Sequence, residues 1–392
     1  MSLTATRKPT TVSDFTPEHE MFRQTVRRFV DEEVNPYVDA WEAAGIYPAH
    51  ALLTKMAALD MLGLSYPEEY GGMDLDLWYS VVLWEELARI DCGGVPMGLT
   101  VHTDMCTPAL AEHGSHDLKK QFLEPALRGQ FVGCLGVSEP EAGSDVASIR
   151  TRAVADGDDW VINGRKMWIT NGTQADWICL LARTSEGRGY KGMSLIMVPT
   201  STPGFTVAGK ISKIGNHSSD TGELVFENVR VPRTNIVGAE GAGFILQMGQ
   251  FQRERLVAAV MTYVQCEKLV RAAVDYTRAR HTFGKPILSN QVVHFRFAEM
   301  LTEIELLKAL CYSCARRMDA GLDITREASM AKLKAGRLVR EVTDGCLQFY
   351  GGMGYSDELL ISRAFRDARL ISIGGGADEI MLAIISKMEG FI

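Results

Sequence analysis

A chain of 392 residues, 46% hydrophobic and with a formal net charge of −8, has room for two or three domains with ample core. The acidic balance argues against bulk nucleic-acid binding, which needs a basic footprint. The longest strictly apolar run is far too short for a stable membrane span.

The first residues, "MSLTATRKPTTVSDF", are polar and lack an apolar core, so no secretory signal is expected and a cytoplasmic protein is. Thr16 followed by Pro17 is a helix-start signal. Phe22, Val26, Phe29 and Val30 share one face of that helix, and Pro36 is expected to end it. "LWYSVVLWEELARID" and "HDLKKQFLEPALRG" predict two further helices. Near residue 130 the texture turns to short β-type runs, "FVGCLGVS", "DWVINGRKMWIT", "WICLLART", "KGMSLIMVP" and "ELVFENVRV". Asn163-Gly164 and Asn171-Gly172 between them predict hairpin turns. From about Gly241 long helical segments return, at roughly 243–280, 290–320, 326–350 and from about 376, which suggests an antiparallel bundle. The eight cysteines have no framework spacing. Cys311 and Cys314 form a lone CxxC inside a helical stretch and read as reduced, packed thiols.

Several motifs carry chemistry, each with an ordinary structural alternative. "GVSEPEAGSD", Gly136 to Asp145, ends a strand in a turn that can expose backbone N–H groups and a hydroxyl to a flavin edge or phosphate. In "KMWITNG", Trp168 and Thr170 fall on one side of a strand and can bracket a flat heterocycle, although a Trp in a sheet core is common. Arg280 in "RARHTFGKPI" can clamp a pyrophosphate or simply meet a helix dipole. "QFYGGMGY" either lets a ligand approach the backbone or is a plain helix stop. In "GQFQRERLVAAV", Glu254 sits between Arg253 and Arg255. Its helical neighbours are Gln250, Phe251, Val257 and Ala258. Such a carboxylate can be partly desolvated and raised towards working pH, but a charge run ordinarily faces solvent.

Taken in order, "GVSEPEAGSD", "KMWITNG", "SSDTGELVFENVRVP", "RHTFGKPI" and "QFYGGMGY" resemble the acyl-CoA dehydrogenase family essentially end to end. The resemblance implies an α+β multidomain fold. Its parts are an N-terminal helical domain (1–129), a middle β-barrel or sandwich domain (130–239) and a C-terminal antiparallel four-helix bundle (240–392). It further implies FAD, an acyl-CoA substrate oxidised to a trans-2-enoyl-CoA, an electron-transfer flavoprotein as acceptor, and a homotetramer.

By matching motif, Leu135, Val137 and Ser138 would line the flavin, and Trp168, Ile169 and Thr170 would cover it. Ser144 would lie by the FAD phosphates and the CoA arm. Arg280, Phe283, Gln291, Gln348, Gly351 and Gly352 would hold the adenine and pyrophosphate half across a subunit interface. Ala377 and Glu379 also fall at cofactor positions. Most members carry the catalytic glutamate before a glycine in the C-terminal segment. Here Gly375 in "SIGGGADEIM" stands at that place, and Ala377 replaces the usual threonine, which puts one polar cofactor contact in doubt. A minority of the family carry the base on the first long helix of the C-terminal domain, in a pattern similar to "ERLV". That moves the base to Glu254, with Gln252 and Arg255 facing the CoA arm and the Gly375 N–H kept as an oxyanion donor. The competing functions are an oxidase or other flavin enzyme on the same fold, and a flavin-containing nucleic-acid-binding relative.

Overall fold

The computed structural model describes residues 14–187 and 189–392, so the polar leader before Asp14 lies outside the described residues. The N-terminal helices are α1 (Pro17–Phe29), α2 (Val38–Ala44), α3 (Ala49–Ala58), α4 (Leu77–Leu87), α5 (Gly94–Thr100), α6 (Pro108–His113), α7 (His116–Leu118) and α8 (Glu124–Leu127). Thr16 starts α1 as a reciprocal cap: its hydroxyl accepts the His19 N–H, and the Thr16 N–H donates to His19 Nδ1 at 2.9 Å. Pro36 does not end the helical path. A π-turn (Val30–Val34) and a 3₁₀ turn (Asn35–Tyr37) carry the chain from α1 into α2. Proline needs no N–H partner at the start of a fresh turn, so it changes the pitch and the chain stays helical.

The middle of the chain forms β1 (Gly133–Gly136), β2 (Arg152–Asp156), β3 (Asp159–Thr170), β4 (Trp177–Arg183), β5 (Met193–Pro199), β6 (Phe205–Lys210), β7 (Thr221–Pro232) and β8 (Ile236–Val237). They make one sheet in the order β6-β7-β3-β2-β4-β5-β8, with β1 added to β4. β4 is buried on both faces. Ile178, Leu180 and Ala182 join Trp160, Ile162, Leu224 and Phe226 in a core between the two arms of the sheet. Trp177, Cys179 and Leu181 face the N-terminal helices.

Neither predicted hairpin turn forms. The β2–β3 turn falls at Gly157–Asp158, because Asp156 pairs with Asp159. Asn163-Gly164 lies inside β3 at a register slip against β7, where a Cβ on Gly164 would sit 2.5 Å from Thr151 Oγ1. Asn171, at φ +63, does turn the chain out of β3, but into β4, which pairs with β2.

The C-terminal helices are α9 (Gly243–Ala279), α10 (Gln291–Asp319), α11 (Thr325–Tyr350), α12 (Leu360–Asp367) and α13 (Asp378–Met388), with a small hairpin between α9 and α10. The helix α12 was not foreseen. Arg296 pairs with Glu341 and Lys334 with Glu303, so α10 and α11 are antiparallel. Arg255 meets Ser329, while Tyr276 stacks on Tyr350, so α9 and α11 run parallel and in step. The buried face of α9, with Leu256, Val260, Tyr263 and Val270, shares one core with α4, α10 and α11. Glu85 on α4 fastens that seam, accepting hydrogen bonds from Tyr263 and Tyr312. All eight cysteines, including Cys311 and Cys314, are buried and free. Among the described residues no helix is long and apolar enough to cross a membrane.

Candidate active site

Glu254 is only 6% exposed, and its Oε1 has no hydrogen-bond partner among the described residues. The surface-cluster alternative fails for all three charges of Arg253–Glu254–Arg255. Arg253 turns inward: its Nε donates to Asp104 Oδ1 at 2.8 Å and its Nη2 to Ser80 Oγ at 3.1 Å. Asp104 is itself buried and also accepts from Trp84 Nε1 and Thr103 Oγ1. Burial works against the Arg253 charge, but Asp104 beside it holds the guanidinium above its ordinary value. Burial raises the Glu254 carboxyl to about 8; Arg255 opposes that shift and Asp104 adds to it. The thiols of Cys106 and Cys179 lie within electrostatic reach of the same carboxyl. Gln250, one turn before, accepts the Ala109 N–H and pins this stretch of α9 to α6.

Arg255 is 5% exposed. Its Nη1 donates to Ser329 Oγ at 3.4 Å, its guanidinium lies over the Phe251 ring, and its Nε has no partner among the described residues. Burial lowers its pKa. Gln252 is tied elsewhere, accepting the Ile324 N–H at 3.0 Å.

Gly375 lies in an exposed loop at φ +64, and a Cβ there would meet no atom within 4 Å. The Gly374 N–H is taken by Leu370 O at 2.8 Å, whereas the Gly375 N–H bonds to no described residue. Buried Lys332 of α11 donates to the Gly376 carbonyl. Ala377 begins α13 without a side-chain cap, and Glu379 in its first turn is exposed.

In the middle domain, Val137 and Ile169 are buried, Leu135, Ser138 and Thr170 are partly covered, and Ser144 is exposed. Lys166 ties the two predicted motifs together. Its ammonium donates to Val137 O at 2.8 Å and to Glu139 Oε1 at 2.9 Å, and Met167 N donates to Ser138 O at 2.9 Å. Glu139 also accepts the Arg150 and Thr151 N–H groups. Burial opposes its charge, but Lys166 and these donors hold its carboxyl below the usual range. The strand is not regular at Trp168. The backbone there is at φ +66, and pairing with β7 slips between Lys166 and Ile169. The indole is 56% exposed, beside the buried Ile169. Simple alternation therefore does not place it; the bulge does.

Arg280, Phe283, Gln291, Gln348, Gly351 and Gly352 come together at the far end of the bundle, all exposed. Phe283 sits wholly exposed at φ +50 at the tip of the hairpin. The Arg280 side chain pairs with no described residue. Lys332 and Gln348 are sixteen residues apart on α11, or about 24 Å. One chain thus holds two separate groups of site residues.

The acyl-CoA dehydrogenase N-terminal, middle and C-terminal domains match residues 16–130, 134–229 and 241–389. The mitochondrial long-chain specific acyl-CoA dehydrogenase of Rattus norvegicus is 37% identical over 375 residues, which cover 95% of this chain and 86% of that protein. The mitochondrial isovaleryl-CoA dehydrogenase of Oryza sativa subsp. japonica is 36% identical over 95% of this chain and 91% of its own. A solved probable acyl CoA dehydrogenase from Mycobacterium abscessus superposes with a TM-score of 0.92 at 40% identity, over 96% of this chain and 99% of that one. The chain belongs to the acyl-CoA dehydrogenase family.

It is an oxidoreductase of acyl-CoA thioesters with FAD as cofactor. The residues present suit that cofactor. An exposed indole stands on a bulge next to the anchored Lys166, and Arg280 has no anionic partner among the described residues for a dianionic pyrophosphate to displace. Sequence reasoning missed Asp104, Lys166 with Glu139, and Lys332. The signal for Lys332 was available: Lys332, Gly336 and Arg340 are spaced four apart, on one face of α11.

Proposed function

We propose that this acyl-CoA dehydrogenase acts on branched or medium-to-long acyl chains, with Glu254 as the base that removes the α-proton. The carrying observation is the buried Glu254 oxygen, without a partner among the described residues, set against a glycine at position 375. A desolvated carboxyl raised to about 8 has a proton affinity suited to general-base work near neutral pH. The α-proton is acidic only if charge on the thioester oxygen is stabilised. The Gly375 N–H, which bonds to no described residue, supports its role as an oxyanion donor, because losing the side chain keeps the amide. Arg255, buried next to the base, faces the CoA arm, and the Ser144 loop borders it. When bound, FAD supplies the acceptor for the β-hydride.

The exposed group around Arg280, Phe283, Gln291, Gln348, Gly351 and Gly352 serves the FAD of a neighbouring subunit in a homotetramer. An aromatic held at positive φ on an exposed hairpin tip supports that reading, since such a conformation is strained. Light scattering of the FAD-loaded protein checks it; a monomer with full FAD would contradict it. Electrons pass on to an electron-transfer flavoprotein.

The deciding experiment is Glu254→Gln. The variant is expected to fold, keep FAD and lose about 10²–10⁴-fold in anaerobic flavin reduction by substrate. Near-normal reduction would show that Glu254 is not the base.

A further inference from the structure

We propose that Lys332 is a positioning residue that keeps the loop at 374–376 in register with Glu254. The proposal rests on the reading that Glu254 is the base and the Gly375 N–H the oxyanion donor.

The argument begins with the loop. Gly375 and Gly376 are both in the left-handed region, at φ +64 and +98, and residues 374–376 carry no side chain to anchor. Three successive glycines have the greatest backbone freedom a chain can have. An amide that must meet an oxyanion needs a fixed place, so the order has to come from elsewhere.

It comes from one face of α11. Lys332 donates to the Gly376 carbonyl. One turn on, Gly336 accepts from Ser372 Oγ at 2.9 Å, and its missing side chain permits the approach: a Cβ there would lie 2.8 Å from Ser372 Oγ and 3.0 Å from Asp378 Oδ1. One turn further, Arg340 donates to Asp378 Oδ2 at 3.2 Å. Spaced by four residues, these groups grip the loop before, within and after its glycines.

The same helix also reaches the base. Ser329, three residues before Lys332, is the partner of Arg255, which adjoins Glu254. Burial lowers the Lys332 ammonium to about 8; Asp378 opposes that shift, Arg255 lies close enough to add to it, and Glu379 opposes it. One rigid stretch of α11 therefore touches both the segment carrying the base and the loop carrying the donor. Of the side-chain contacts from α11 to the loop, the Lys332 bond is the one made to the glycines themselves; the Gly374 N–H is held by Leu370 O at 2.8 Å, which leaves Gly375 and Gly376 to be fixed from α11. A buried ammonium is costly unless hydrogen-bonded, so its use here on a neutral carbonyl marks a placed contact.

The test compares Lys332→Met and Lys332→Arg in the FAD-loaded enzyme. Lys332→Met is expected to lower kcat about tenfold to a hundredfold, the scale of a displaced catalytic group, with KM within about threefold. Lys332→Arg should recover part of the loss. The second readout is the infrared carbonyl stretch of bound acyl-CoA labelled with carbon-13 at the thioester, measured in a Glu254→Gln background where substrate persists. It should move towards the free value with Lys332→Met. Consumption of substrate in that background would refute the base assignment and leave the carbonyl comparison to be made with product. If Lys332→Met does not load FAD, Gly336→Ala displaces the loop from the same face and should move both readouts the same way. An unchanged kcat, or a lowered kcat with an unshifted carbonyl stretch and no gain from arginine, would overturn the proposal.

Discussion

The α9 stretch around Glu254 and the glycine loop at 374–376 present opposite chemistry. In α9 the backbone amides are spent on the helix, and only side chains are on offer; one of them is an acid held in a dry core. In the loop there are no side chains, and what is on offer is an amide that no described residue uses. The base and the oxyanion donor are thus separate functions that need not share a residue. A carboxyl at position 375 would supply both from one place. In the proposed assignment the two are split, and α11 touches the segment that carries each of them.

The largest expected effect is the loss of about 10²–10⁴-fold in flavin reduction on Glu254→Gln, and moving the base back to the loop tests its cause. In a Glu254→Gln background, Gly375→Glu should regain at least about tenfold of the lost flavin reduction, since general-base action is worth about 10²–10⁴-fold. Space allows it, because a Cβ at Gly375 meets nothing within 4 Å. The backbone limits it. At φ +64 a non-glycine residue costs about 1–2 kcal/mol, so full recovery is not expected. No gain with FAD retained would mean that the loop does not reach the substrate's α-carbon.

These two regions were unequally legible in the sequence. The order of helical, β and helical segments followed from periodicity and turn residues, and the Thr16 cap was read correctly. Asn163-Gly164 misled, because a dipeptide that favours a hairpin turn also suits a bulge within a long strand, and β3 continues through it. The burial of Arg253 could not be read locally, since its partner Asp104 lies 149 residues earlier. A run of three charges on a helix looks solvated until a distant π-turn supplies the counter-ion. The Gly375 substitution was the clearer sign, because it removes a chemical group and a glycine cannot take a proton.

Next in size is the pH dependence, whose rising limb belongs to the carboxyl of the α9 region. The Glu254 carboxyl is raised to about 8 by burial, with Asp104 adding to the shift and Arg255 opposing it. A base acts as the carboxylate, so activity must rise with pH. At pH 6 roughly a hundredth of such a group is ionised and at pH 8 about half, which predicts roughly a fiftyfold rise in kcat/KM over that interval. The rise should level off above the midpoint. A profile flat from pH 6 to 9 would contradict a desolvated base. The amide of Gly375 does not titrate, but burial lowers the Lys332 ammonium that holds Gly376 to about 8, so Lys332→Arg should leave the rising limb where it is and remove any fall in activity caused by loss of the Lys332 proton.

The smallest effect concerns the shape of the acyl chain, and it depends on what each region leaves empty. On the proposed reading, glycines at 374 to 376 would remove bulk from one wall of the acyl pocket, while Glu254 would enter from the helix. These are the grounds on which branched or longer acyl chains are proposed. The preference should be graded, since one methylene or methyl in an apolar pocket is worth only about 1–3 kcal/mol. The measurement is kcat/KM for butyryl-, isovaleryl-, octanoyl- and citronellyl-CoA under one set of conditions. Gly375→Glu sharpens the comparison: by filling the open side of the loop it should depress the bulkier substrates more than butyryl-CoA. A maximum at butyryl-CoA in the unaltered enzyme would remove the link between the empty loop and substrate choice, while leaving the assignment of the base untouched.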